Sequence, residues 1–180
     1  MKQRRTIKIS KTDAAKRQLE TAIRLWFYSG DPVSIHTLAA AALQLLHDLG
    51  QKQGTGAILR DLPGVLAVHR DELRKLIKGY ENFFKHADND PNALLDFCPD
   101  ATELFILDAV LTYTKLTGDS APIFDTFRVW VLAHNPKYMD VPSRRKFFES
   151  LKIYGTDFLN VPKTVFFVEF LRLLEKAGLS

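Results

Sequence analysis

The sequence predicts an all-α fold, a single-domain bundle of six to seven helices. Three observations carry that expectation. Apolar side chains recur three and four residues apart along seven segments, those segments are bounded by recognisable caps and stops, and the chain is long enough for one real core. At 180 residues, with 46% hydrophobic side chains and thirteen phenylalanines, it needs no disulfide or metal to fold.

Thr6–Ser10 alternates enough to form a short strand, yet no later segment offers it a partner. Ser10 or Thr12 can cap a first helix through "DAAKRQLETAIRLWFYS", where Ile23, Trp26 and Phe27 share a stripe, and Gly30 stops it. Asp31-Pro32 supplies a cap and a first-turn proline for a second helix to about Leu49. This helix has two faces that are not plainly solvent-facing. Ile35, Leu38, Ala39, Ala42, Leu46 and Leu49 form one, and His36, Ala40, Leu43 and His47 form the other, so the helix is expected to be central.

A third helix is expected from about Val65 to Ala87. Leu73, Leu76, Ile77, Tyr80, Phe83 and Phe84 make its core face, and "DNDPN" ends it. Pro99 or Asp100 opens a fourth, to about Leu116, closed by Thr117-Gly118. A fifth covers about Ala121 to His134 and stops at Asn135-Pro136. Ser143 can cap a sixth to about Tyr154, and Pro162 opens a seventh whose narrow polar face (Glu169, Arg172, Lys176) predicts burial on most sides. No repeat or linker divides the chain. The expected organisation is a basic arm over 1–11 and one helical domain over 12–180.

Charge sharpens that division. Residues 1–11 hold five basic side chains and no acid, leaving 20 basic against 21 acidic residues in the rest. The net charge of +4 therefore belongs to the arm. A basic arm can track phosphates, although a solvated tail is the commoner use. Cys98 is the only cysteine, so no internal disulfide forms and a reducing, cytoplasmic setting is expected. The N-terminus has no apolar run to make it a secretory signal, and no stretch reaches the eighteen or so apolar residues of a membrane span.

Several motifs fail on chemistry. "GTG" at 54–56 lacks the strand, the third glycine and the Lys-Ser/Thr pair of a phosphate loop. "DNDPNALLD" has Asp88, Asp90 and Asn92 at alternate positions, but Ala93 replaces the turn glycine and Pro99 the bidentate acid of a calcium loop. His36 and His47 share a helix face but stand about 16 Å apart along the axis, too far for one zinc ion. Neither a metal nor a cofactor is expected. His47, His86 and His134 all fall in the last turns of their predicted helices, where an imidazole meets free carbonyls and the negative dipole end.

One cluster goes beyond that account. At about 100° per residue, Asn82 lies opposite the core face of the third helix and His86, one turn on, lies beside it. Lys85 is adjacent. A second candidate, at the start of the sixth helix, is anion binding by Ser143, Arg144, Arg145 and Lys146, whose positive charges crowd a positive dipole end. A third is a cleft along the His36/His47 face.

"GDPVSIHTLAAAALQLLHDL" (30–49), "ENFFKHADND" (81–90) and "TELFILDAVLTYTKLTG" (102–118) together resemble a group of uncharacterised bacterial all-helical proteins, a likeness that brings no activity with it. More remotely, "NFFKHA" resembles the tail of the HEPN signature. HEPN proteins are all-α bundles, often dimeric, in which an arginine, a polar residue and a following histidine cleave RNA. The resemblance would make Asn82 the polar residue and His86 the histidine, with Glu81 standing where the arginine belongs. Two functions follow as expectations. The first is a helical protein acting through association, as a homodimer. The alternative is an RNA- or nucleotide-directed protein in which His86 is the general acid or base and Lys85 holds phosphate.

Overall fold

The computed structural model describes residues 6–54, 79–88, 90–152 and 160–178. Its helices are α1 (Lys11–Phe27), α2 (Pro32–Lys52), α3 (helical residues 79–85), α4 (Ala101–Thr117), α5 (Pro122–His134), α6 (Val141–Leu151) and α7 (Lys163–Lys176), with one 3-10 turn at Pro136–Tyr138. No strand occurs among the described residues, and the fold is an all-α bundle. Most of the expected third helix, including Leu73, Leu76 and Ile77, lies outside them.

Ser10 caps α1 through a reciprocal box. Its hydroxyl accepts from the Asp13 amide at 3.0 Å, and the Asp13 carboxylate accepts from the Ser10 amide at 3.3 Å. The Ser10 hydroxyl also donates to that carboxylate at 2.7 Å, and this bond together with the one from the Ser10 amide holds the Asp13 carboxyl below its ordinary range. Helix thus begins at Lys11, the last residue assigned to the arm. Residues 6–10 precede it without secondary structure, and among the described residues no strand is present to pair with them.

The α1–α2 link is four residues long and reverses the chain. Ser29 takes a left-handed φ of 53°, and the Gly30 amide donates to the Leu25 carbonyl at 2.8 Å. A Cβ on Gly30 would meet that carbonyl oxygen at 3.2 Å and the Leu25 Cδ2 at 3.1 Å, so the close approach favours glycine. Asp31 caps α2 by accepting from the Ser34 amide at 2.7 Å, and Pro32 opens the helix. The small side chains of Ala39, Ala40 and Ala42 are buried and let α2 lie close to both α1 and α4. α2 continues to Lys52, so His47 is inside the helix and not in its last turn.

The most enclosed helix is α4. Phe105, Ile106, Leu107, Ala109, Val110 and Tyr113 are buried around almost its whole circumference, together with Thr102, Asp108 and Thr112. Gly118, at a left-handed φ of 69°, ends it. α7, by contrast, is not enclosed on most sides. Phe166, Phe167, Phe170 and Leu174 are buried along one face, while Val165 and Leu173 stay exposed. The narrow polar face misled because apolar residues at its edges remain in water.

At the far end of α1, Phe27 stacks on Phe167 with centroids 4.6 Å apart and meets Phe127 edge-on at 6.3 Å. Trp26 meets Phe127 at 5.1 Å, so aromatic rings from α1, α5 and α7 close this end of the core. Lys163 completes the joint. Its ammonium donates to the Trp26 carbonyl at 2.8 Å and lies 4.5 Å from the Trp26 ring centroid, capping the last turn of α1 from α7.

Candidate functional site

Polar groups gather at three places in the described structure, and the predicted residues fall partly inside and partly outside them. The first surrounds His36. Its imidazole is wholly buried, with Nδ1 2.9 Å from the Thr102 hydroxyl. Tyr80 and Phe84 of α3, Phe97 of the following loop and Phe105 of α4 ring it at centroid distances of 5.6, 5.7, 5.3 and 4.7 Å. Nε2 has no hydrogen-bond partner among the described residues. Burial among these rings pushes the imidazole pKa down to about 4, with the Glu81 carboxylate opposing the shift. His36 is therefore a neutral core residue. The second face of α2 is covered by aromatic packing at this point, and it opens no cleft there.

The same packing builds the second site. Tyr80 anchors the loop after α3: its hydroxyl accepts from the Cys98 amide at 3.2 Å and donates to the Asp96 carbonyl at 3.4 Å. Phe97 packs on Tyr80 and Phe84 at 5.0 and 5.2 Å. With Tyr80 and Phe84 turned inward, the other side of α3 and the anchored loop border an open cleft of about 610 Å3. Asn82, Phe83, His86, Asp88, Asp90 and Leu94 contribute to its wall. Phe83, expected in the core face, belongs to this cleft, because Tyr80 and Phe84, four residues apart, are the pair that meets His36.

Asn82 and His86 thus share one cleft, joined by a backbone bond from the His86 amide to the Asn82 carbonyl at 2.9 Å. Lys85 does not line it. Its ammonium donates to Glu81 one turn earlier, which neutralises the cation. Neither Asp88 nor Asp90 forms an ion pair among the described residues, and both are exposed. His36 and His47 lie outside the cleft. His47 is half-buried, near Asp48 at 3.9 Å and Gln51 at 3.4 Å. Among the described residues no three histidine, cysteine or acidic side chains group to hold a metal ion.

At α6 the cap is Asp140, and Ser143 sits inside the first turn. The Asp140 carboxylate accepts from the Ser143 amide at 2.7 Å, and that bond holds its pKa below the usual carboxylate range. The helix start beside Arg144, Arg145 and Lys146 thus carries one anion of the chain's own. His134 matches the helix-end reading. Its Nδ1 lies 2.9 Å from the Trp130 carbonyl, and its ring stacks on Trp130 at 3.9 Å.

A third polar site was not anticipated. Glu103, half-buried on the first turn of α4, accepts from the Asn135 side-chain amide at 3.0 Å. Burial raises its pKa to about 7, helped by the Asp100 carboxylate and opposed by Lys163 and Lys137. Burial and Glu103 together raise the Tyr138 phenol, and burial lowers the Lys163 ammonium. No local motif could have announced this group, since its members come from α4, the α5 stop and α7. Only the acid at Glu103, at the head of an apolar run, hinted at it. No protein-family model, curated protein or solved structure matches this chain.

Proposed function

We propose that this all-α bundle acts through protein association, with a second copy of the chain as its principal partner and the 79–95 cleft as the docking surface. One observation carries the reading: Leu94, at the cleft, is 98% exposed, beside the apolar side chains of Phe83 and Leu95. Full burial of a leucine is worth about 1.5–3 kcal/mol, so a partner that covers it gains substantially. The cleft volume is of the order that admits a few side chains. The setting proposed is the cytosol, consistent with a lone cysteine, and no helix among the described residues is long and apolar enough to cross a membrane.

The experiment is sedimentation equilibrium of the purified chain. The expected result is a dimer at micromolar concentration, with Leu94→Ser raising its dissociation constant by about tenfold or more. A wild-type chain that stays monomeric sinks the reading.

A second reading, RNA- or nucleotide-directed chemistry of the HEPN kind, is favoured by the shared position of Asn82 and His86 in one cleft. Two features oppose it. Glu81 holds Lys85, and Asp88 and Asp90 put negative charge where a phosphate would approach. RNA cleavage abolished by His86→Ala would establish it; cleavage unchanged by that substitution would remove it.

A further inference from the structure

The structure leaves two complementary surfaces open at opposite ends of the bundle. One is the cleft, with Asp88 and Asp90 beside Phe83 and Leu94. The other is the segment before α1. Ile7 and Ile9 are 63% and 46% exposed in residues without secondary structure, interleaved with Lys8 and followed by Lys11. The first eleven residues carry five basic side chains and no acid, against a body whose own balance is −1. Positive charge alternating with exposed isoleucine matches a cleft that offers carboxylates and exposed leucine.

Ile7 and Ile9 are separated from the cleft of their own chain by roughly the length of α1. α1 and α2 are joined by four residues and pack along their length, so they run antiparallel. The arm therefore leaves the bundle beside the end of α2, while His36, near the start of α2, carries the α3 packing that builds the cleft. α1 has 17 residues, which places the two ends about 25 Å apart. Ile7 lies three residues from the cap at Ser10, a reach of about 10 Å at most.

Resting on the association reading above, we propose that the occupant of the cleft is the N-terminal arm of a second copy, exchanged reciprocally. Arm and cleft at opposite ends suit a two-fold axis across the bundle, because two antiparallel copies bring each arm beside the other's cleft and close the assembly. Lys8 and Lys11 would pair with Asp88 and Asp90, and Ile7 and Ile9 would cover Phe83 and Leu94. Nucleic acid is the competing occupant of the arm. It is the weaker fit, since phosphates offer nothing to the two isoleucines.

The test is sedimentation equilibrium at low salt on the full chain and three variants: Asp88→Lys/Asp90→Lys, Lys8→Glu/Lys11→Glu, and the four substitutions in one chain. All four positions are exposed, and no side-chain hydrogen bond or ion pair joins them to the rest of the described fold. Each double variant is expected to raise the dimer dissociation constant by about tenfold or more, and the fourfold charge swap to return it close to wild type. Rising salt should weaken the wild-type dimer. A dimer unmoved by Lys8→Glu/Lys11→Glu overturns arm exchange and leaves self-association standing. A wild-type monomer overturns both. RNA retention lost in the arm variant with the dimer unchanged assigns the arm to nucleic acid and overturns the proposal.

Discussion

Thr102 and Glu103 are neighbours on the first turn of α4, and they serve opposite kinds of polar site. Thr102 bonds His36 inside a ring of aromatic side chains, where the imidazole is wholly buried and kept neutral. Glu103 bonds Asn135 at a half-buried joint with Lys163 and Tyr138 nearby, where the carboxyl tends to keep its proton. Both groups are shifted by desolvation toward the uncharged form, yet the consequences for stability have opposite sign. Burial acts on charge, and a histidine loses charge by giving up a proton whereas a glutamate loses it by keeping one.

The largest expected effect sharpens the His36 side. His36→Ala should cost about 3 kcal/mol in urea unfolding, since it opens a cavity among four rings and strips Thr102 of its partner. A loss below about 1 kcal/mol would mean the box collapses freely and is not a packed core. The pH profile is a second measure. The folded imidazole titrates at about 4 against an ordinary 6.5, so the unfolded chain takes up the proton first as pH falls. Stability from this group is whole above pH 6.5 and is lost on descent toward 4, by about 2–3 kcal/mol. His36→Phe should abolish that slope, and an unchanged slope would assign the acid lability elsewhere.

Glu103 runs the other way. Its folded pKa of about 7 exceeds the ordinary 4.5, so the unfolded chain releases the proton first as pH rises. Stability falls between pH 4.5 and 7 and stays reduced above 7. Glu103→Gln keeps the acceptor for Asn135 and should stabilise the protein at pH 8 by about 1 kcal/mol after solvent screening, with no gain at pH 4. The two slopes overlap and oppose each other, so the variant carrying His36→Phe and Glu103→Gln should show a flatter profile than either single variant. A gain for Glu103→Gln that persists at pH 4 would refute the titration account.

The smallest expected effect concerns the joint beside Glu103. Lys163→Met removes the donor to the Trp26 carbonyl but keeps the stem against the Trp26 ring. A loss of about 1 kcal/mol in thermal or urea unfolding is expected. No change would show that water replaces the ammonium at the end of α1.

Local rules reached most of the helix boundaries. Ser10 with Asp13, Asp31 with Pro32, Gly118 and Asn135-Pro136 are all capping or stopping chemistry that acts within a few residues, so the sequence displays it. At α6 the rule was right and the residue wrong: Asp140 is the cap, and a proline at the second helical position allows it to be. The start of the candidate site was equally visible, because Asn82 and His86 are one turn apart on one helix. That Lys85 turns to Glu81, that Phe83 leaves the core, and that Asp88 and Asp90 face the same cleft depend on the loop after α3, which Tyr80 and Phe97 anchor. His36 showed the same limit. Its spacing to His47 suggested an open face, but four rings from three other segments fill it.

The sequence by itself determined the all-α class, the caps, and the split between a basic arm and a nearly neutral body, because periodicity, capping and charge are properties of contiguous residues. Tertiary structure decided which helix is innermost, that His36 is core and His86 is surface, and that Glu103 meets Asn135 near Lys163. Burial and desolvation arise between segments distant in the chain, and no contiguous stretch records them.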